Sequence, residues 1–141
     1  MADPARWQSR TRWALGVLYL VAGLAHLTSP APFLRITPAW VPAPALVIAL
    51  TGLAELCGAV ALVQGWSPRL RRLAGWALAA YAICVYPANI NHLLIDLVRP
   101  GHGWGLAYHV PRLLAQPLLA WAAPWSAGAL PGFRSRDRAE G

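Results

Sequence analysis

The sequence is poor in charged residues. They make up 12% of the 141-residue chain, about half the share found in a typical soluble domain. Lysine is absent, so all twelve basic residues are arginine, while apolar residues reach 57%. This composition argues against a soluble domain and favours a protein that lies in a membrane. The length corresponds to a single domain.

Cysteine is scarce as well. Cys57 and Cys84 each lie inside an apolar run, and they form no Cys-x-x-Cys pair. The spacing therefore excludes a thioredoxin-like dithiol and a cysteine-based zinc site. As single thiols in apolar surroundings, both are expected to be small core residues and not reactive groups.

Acidic residues are few, which leaves a net charge of +7. Such a charge can indicate a nucleic-acid-binding protein. Here, however, the arginines stand in short clusters between apolar runs. Their positions fit membrane topology better, and no nucleic-acid partner is expected.

Four apolar runs predict four membrane-spanning helices, at about residues 13–29, 45–66, 71–98 and 108–126. Residues 1–12 are predicted to form a cytoplasmic N-terminal arm and residues 127–141 a cytoplasmic basic tail. Between the first two runs, residues 30–44 contain five prolines. Because proline interrupts a regular helix, this segment is predicted to lie at the membrane interface.

The arginines alternate between the loops. In chain order, the clusters before, between and after the four runs contain three, one, three, one and three arginines; Arg71 and Arg72, at the start of the third run, are counted with the loop before it, and Arg112 inside the fourth run is left out. Since arginine is enriched in cytoplasmic loops, both termini and the middle loop are predicted to be cytoplasmic. Four spans with short connections predict an all-α fold, an integral membrane antiparallel four-helix bundle.

Each predicted span carries one stripe of polar or small residues at helical spacing. The stripes are Gly16, Tyr19, Gly23 and His26; Thr51, Gly52, Glu55 and Gly58; Asn89, His92 and Asp96; and Tyr108, Arg112 and Gln116. Because lipid cannot satisfy polar groups, the four stripes are expected to face one another. The candidate binding cluster, in the outer half of the bundle, is His26, Glu55, Asn89, His92, Arg112 and Gln116.

Glu55 and Arg112 are the charged members of this cluster. The helical rise places both in the outer half of the bundle, where an ion pair between them is feasible. Such a pair either fixes helix register or serves a ligand, and the sequence leaves both interpretations open. Three further titratable residues are expected to be solvated near the outer surface, namely Asp96, His102 and His109.

The sequence indicates no cofactor. A metal site built from His26, His92 and Glu55 is not expected, because no pair of these residues has the spacing of a metal motif. No haem or flavin motif is recognisable, and no catalytic residue can be assigned. A quinone is the one cofactor kept as a hypothesis.

Several short motifs resemble the DoxX-like family of small four-helix membrane proteins. They are Gly23-Leu24-Ala25-His26, Pro38-Ala39-Trp40-Val41-Pro42, Thr51 to Gly58, Tyr86 to His92, and Arg112 to Pro117. Leu27 departs from the family, which often has phenylalanine after the first-helix histidine. The resemblance implies a bacterial inner-membrane protein, with a membrane or periplasmic redox partner in some relatives.

Three functions are therefore compared. The first is a membrane protein, not an enzyme on its own, whose polar pocket binds a small molecule or supports a redox complex. The second is a quinone-linked oxidoreductase subunit in which Glu55 and His92 relay protons. The third is a small-solute transporter, acting as a homodimer, although no internal repeat is apparent.

Overall fold

The structure, a computed structural model, describes residues 4–101 and 103–130. These residues form five helices and no strand, which confirms the all-α prediction. The helices are α1 (Pro4–Thr28), α2 (Ala31–Ile36), α3 (Pro44–Val63), α4 (Pro68–Val98) and α5 (Leu106–Ser126). Four of them are long, and α2 is a six-residue helix between the first two long ones.

The four long helices form a closed antiparallel arrangement. α1 packs on α3, α3 on α4, α4 on α5, and α5 back on α1. Position 16 of α1 lies against Val63 and position 23 against Gly52, so these two helices run in opposite directions. In the same way Gly58 of α3 contacts Leu78, and Gly75 of α4 contacts Ala123 of α5. Each helix is therefore antiparallel to the next, and α3 and α5 are diagonal.

Two helix boundaries differ from the sequence prediction. α1 begins at Pro4, so most of the predicted N-terminal arm is helical. The proline-rich segment, predicted to lack regular helix, contains α2, which has Pro30 as its N-cap and a second proline in its first turn. Proline is tolerated there because first-turn N–H groups have no partner within the helix. Most of the predicted tail, residues 131–141, lies outside the described residues.

The apolar core occupies one end of the bundle. Its members come from the middle of α1, the N-terminal half of α4, the C-terminal parts of α3 and α5, and the residue after α5: Leu15, Tyr19, Ala59, Leu62, Ala74, Leu78, Ala122, Ala123 and Ala127. Many are alanines, which let neighbouring helices approach closely. A side chain at Gly75 would collide with the backbone of α5, which shows how tight this end is.

The two cysteines do not belong to this core. Cys57 and Cys84 are both exposed, so the expectation that they are core residues is wrong. Apolar surroundings along the sequence do not distinguish the inner from the outer face of a helix when both faces are apolar.

Two helices of the described part, α3 and α4, are long and apolar enough to cross a membrane, with mean hydropathies of 2.3 and 1.4. A buried helix of a soluble protein can meet the same criterion, which concerns length and composition alone. α1 carries three arginines in its first half, and α5 carries a histidine, an arginine and a glutamine. The criterion is thus met by two of the four predicted spans.

Candidate functional site

A cavity of about 410 Å³ opens in the half of the bundle that the apolar core leaves unfilled. All five helices and the link between α2 and α3 contribute to its wall. Most lining side chains are apolar, and a few polar ones converge among them. The polar members of the predicted cluster that line it are His26, Glu55, Asn89, Arg112 and Gln116.

The proline-rich segment forms part of the cavity wall. Phe33 and Ile36 of α2 line the cavity, and Trp40 follows in the link to α3. The Phe33 ring stacks on the His26 ring with centroids 3.8 Å apart. Asn91 Nδ2 donates a hydrogen bond to the Ile36 carbonyl oxygen at 2.9 Å. α2 is therefore attached to both α1 and α4.

Glu55 is paired with a histidine. Its side chain is 4% exposed, and Oε2 lies 2.7 Å from His26 Nδ1. The same nitrogen lies 2.9 Å from the Ala22 carbonyl oxygen. Because both neighbours are hydrogen-bond acceptors, Nδ1 carries the hydrogen. Tyr81 lies beside Glu55 in the cavity wall.

Arg112 has different partners. Its Nη1 donates to His92 Nδ1 at 2.8 Å and to the Tyr108 hydroxyl at 3.2 Å. Its guanidinium carbon also lies 5.6 Å from the centroid of the Tyr108 ring. The feasible Glu55–Arg112 ion pair is thus replaced by two separate arrangements, with Glu55 held by α1 and Arg112 held by α4 and by its own helix.

Asn89 and Gln116 lie deep in the cavity wall, at 7% and 9% exposure. Within the described part of the chain, no residue forms a hydrogen bond with either side-chain amide. The Tyr19 hydroxyl, also buried in the wall, has no hydrogen-bond partner either among these residues. Buried polar groups are normally hydrogen-bonded, so these three have capacity that the protein does not use.

Asp96 and His109 are buried, at 2% and 1% exposure, and the expectation that they are solvated is wrong. The α4–α5 loop folds back over Asp96: the Trp104 N–H donates to Oδ2 at 3.0 Å, and the backbone of Gly103 lies against the carboxylate. His109 Nε2 donates to the same oxygen at 3.0 Å. His102, expected to be solvated too, lies outside the described residues.

His92, Asp96 and His109 place three potential metal-ligand atoms within 4.8 Å of one another. The hydrogen bonding favours another interpretation. Because Arg112 always donates, His92 Nδ1 must accept, and Nε2 then carries the hydrogen and faces Asp96 Oδ2 at 3.7 Å. Both histidines thus present N–H groups to the carboxylate, and a metal would need lone pairs there. His92 itself is not among the residues that line the cavity.

Residues 15–126, most of the chain and all but the first turns of the bundle, match a family described as a domain of unknown function, DUF8561. The chain belongs to the DUF8561 family. No curated protein and no solved structure matches it.

Membership in DUF8561 corrects the DoxX-like assignment, which was wrong. The motifs behind that assignment have general causes. Gly23 and Gly52 are set by the close approach of two helices, where each occupies the space that a side chain on the other would need. Stripes of small and polar residues are expected wherever helices pack closely around polar groups. They therefore indicate a helical bundle and not a particular family.

One cavity residue of this DUF8561 chain was missed from the sequence. Tyr81 lines the cavity beside Glu55, and it lies eight residues before Asn89 on α4. Positions i and i+4 share a helix face, so the Asn89 stripe extended by two turns reaches Tyr81. Tyr81 was not predicted to be a cavity residue, because a tyrosine in an apolar run is usually a packing residue.

Proposed function

We propose that this chain is a multi-pass membrane protein that binds a small amphiphilic molecule in its cavity. The observation that carries the proposal is the cavity itself. Its volume of about 410 Å³ lies within the range of known small-molecule sites, about 300–1,000 Å³. Mostly apolar walls with a few convergent polar groups are the usual composition of such sites.

The outward faces of the helices support the membrane location. All four long helices expose large aliphatic side chains, at 40% or more of their area, including Val17 and Val21, Leu50 and Leu53, Leu73 and Ile83, and Leu114 and Leu118. An apolar surface of this extent is normally covered, and here it surrounds the bundle. The lipid bilayer is the partner that covers a helical bundle on all sides, and α1 and α5 share this feature with α3 and α4.

The proposed orientation follows the arginines. The end of the bundle that holds the apolar core carries the loop between α3 and α4, the first turns of α4 with Arg69, Arg71 and Arg72, and the arginine-rich start of α1. In this proposal that end faces the cytoplasm. The cavity then lies in the outer half of a cytoplasmic (inner) membrane protein.

The polar groups of the cavity suit ligand binding better than catalysis. Glu55 lies beside His26, and the other polar groups of the wall include amides, hydroxyls and the Arg112 guanidinium, which can bind and orient a ligand. A quinone is one amphiphile that such a cavity can hold, and the composition of the extracted ligand would reveal it. The proposed role of His92 as a proton relay receives no support from its position.

Cavity occupancy can be tested by filling the cavity. The protein is extracted directly from cell membranes into polymer nanodiscs without detergent, and bound small molecules are measured by native mass spectrometry and by solvent extraction. Ala88→Leu adds bulk at a cavity-lining position of α4. Ala80→Leu makes the same change at an exposed position of the same helix and serves as the matched control.

We expect the wild type and Ala80→Leu to retain the same small molecule, and Ala88→Leu to retain several-fold less. The reason is that overpacking removes the space a ligand needs without removing its polar contacts. A wild-type protein that carries no molecule beyond annular lipid, or an Ala88→Leu protein with full occupancy, would contradict the proposal.

A further inference from the structure

Three polar side chains on α4 and α5 face the cavity with unused hydrogen-bonding capacity. Asn89 and Gln116 are more than nine-tenths buried, and no other described residue forms a hydrogen bond with either amide. Arg112 lies one helical turn from Gln116, and its side chain lines the same cavity. Both amides line the cavity, where a bound ligand can form hydrogen bonds with them.

The guanidinium of Arg112 is only partly engaged. Both of its hydrogen bonds to the protein use Nη1, towards His92 and Tyr108. No described residue accepts a hydrogen bond from its Nε or Nη2. These remaining N–H groups form the planar fork that binds carboxylate or phosphate oxygens in a bidentate manner.

The partners of Arg112 are neutral. His92 accepts through Nδ1, so it is uncharged, and the Tyr108 hydroxyl carries no charge. Asp96 faces the other ring nitrogen of His92, Nε2, and accepts hydrogen bonds from His109 and the Trp104 N–H. Arg112 therefore brings a positive charge to an apolar cavity without a direct carboxylate partner among the described residues.

Glu55 does not supply that partner. It belongs to α3, which is diagonal to the α5 helix that carries Arg112. Its Oε2 lies 2.7 Å from His26 Nδ1, which is hydrogen-bonded to the Ala22 carbonyl oxygen. Glu55 and Arg112 therefore lie on different walls of the cavity. The wall formed by α4 and α5 offers the Arg112 guanidinium and the amides of Asn89 and Gln116, which can all donate hydrogen bonds.

We propose that the cavity selects amphiphiles with an anionic head, a carboxylate or a phosphate, bound by Arg112, Asn89 and Gln116. The tail lies among the apolar residues of the wall, such as Ile48, Val85 and Leu119. This inference rests on the proposed function of the cavity and adds the chemical class of its ligand. The same guanidinium and amide groups can bind a carboxylate or a phosphate, and the experiment below determines which head group is preferred.

The test compares three probes that have the same twelve-carbon tail and different head groups. Dodecanoate, dodecyl phosphate and dodecanol are titrated into the full chain in phosphatidylcholine nanodiscs, at a pH well above the pKa of a free carboxyl group. Dissociation constants are measured by calorimetry against empty nanodiscs. We expect dodecanoate, dodecyl phosphate or both to bind at least about tenfold more tightly than dodecanol, a difference of about 1.4 kcal/mol.

Three variants test whether the anionic head group binds at Arg112. Arg112→Gln should weaken binding of the anionic probe about tenfold or more and leave dodecanol binding nearly unchanged, because only the charged fork is lost. Arg99→Gln removes an exposed arginine near the same end of the bundle and should change neither. Gln116→Leu keeps the charge and should weaken the anionic probe by a smaller factor, which provides a second readout should Arg112→Gln not fold.

Equal affinities of the wild type for the anionic probes and dodecanol would overturn the inference, as would equal effects of Arg112→Gln on both kinds of probe. The failure of all anionic probes, together with a neutral molecule found in the extracted protein, would also overturn it. In that case the cavity would still be a ligand site, and only the class of ligand would be wrong. A cavity found empty in the extraction experiment would instead remove the proposed function itself.

Discussion

Among the described residues, the two buried carboxylates each lie beside an imidazole from a different helix. Glu55 meets His26 across the α1–α3 contact, and Asp96 meets His109 across the α4–α5 contact. Asp96 accepts a hydrogen bond from His109 Nε2, whereas His26 Nδ1 lies close to Glu55 and is hydrogen-bonded to the Ala22 carbonyl oxygen. Arg112 differs, because its acceptors are neutral and part of its guanidinium remains available.

Asp96 should be a strong determinant of stability. Its Oδ2 accepts hydrogen bonds from the Trp104 N–H and from His109 Nε2, and its side chain is 2% exposed. Asp96→Ala leaves both donors buried without an acceptor, which we expect to cost about 2–4 kcal/mol. Asp96→Asn should cost less, since the amide oxygen can still accept. The measurement is the free energy of unfolding in mild detergent.

Arg99→Gln is the control for that series. Arg99 Nη1 lies 3.8 Å from Asp96 Oδ1, but its side chain is 57% exposed. Exposed ion pairs contribute little, so the variant should lose no more than about 1 kcal/mol. A loss as large as that of Asp96→Ala would mean that the ion pair, and not the buried hydrogen bonds, holds the loop.

At the scale of elements, the cavity end of the bundle is covered by the α4–α5 loop and by α2. The α4–α5 loop contains three described glycines with positive φ, Gly101, Gly103 and Gly105, at 82°, 53° and 71°. This conformation turns the chain back over the end of α4 and brings the Trp104 N–H to Asp96. At the same end, α2 is held over the cavity by Phe33 stacking and the Asn91 hydrogen bond.

Gly103 and Gly101 form a natural pair for testing this loop. An alanine at either position pays roughly 1–2 kcal/mol for the left-handed backbone. At Gly101 the added carbon meets open space, whereas at Gly103 it would overlap the Asp96 carboxylate. We expect Gly103→Ala to lower the unfolding free energy by at least about 1 kcal/mol more than Gly101→Ala, because hydrogen bonds to Asp96 are lost. Equal losses would show that the loop does not rest on Asp96.

At the scale of the whole molecule, the bundle has a tight end rich in arginine and an open end with the cavity. At the tight end, alanines and glycines let the helices pack closely. At the open end the helices enclose the cavity, and Pro38 and Pro87 form part of its wall. The proposed membrane location rests on the apolar outer faces of the four long helices.

The proposed topology predicts which loops can be labelled from outside. In a background without Cys57 and Cys84, Pro100→Cys should react with a membrane-impermeant maleimide in intact spheroplasts, and Gly65→Cys only after permeabilisation. Both positions are exposed loop residues, so accessibility depends on the side of the membrane. The opposite pattern would reverse the orientation, and equal labelling of both sites before permeabilisation would argue against four spans.

The sequence by itself determined the helical class and the approximate positions of four long helices, and five of the six residues predicted to form the polar cluster line the cavity. These features follow from local information: apolar runs of helix length, proline-rich breaks, and polar residues at spacings of three or four that must share one face. The stripe residues Gly23 and Gly52 do meet, as their spacing predicts.

Only the tertiary structure decided the partners of the buried charges. A helical stripe gives the face on which a residue lies but neither its exact depth nor the path of the neighbouring loop. The sequence therefore predicted Asp96 and His109 to be solvated, whereas the α4–α5 loop packs over Asp96 and both residues are buried. Likewise, Glu55 and Arg112 stand on diagonal helices, where the nearer imidazoles of His26 and His92 take the place of the ion pair. Distances between side chains on different helices depend on helix rotation and register, which local spacing does not fix.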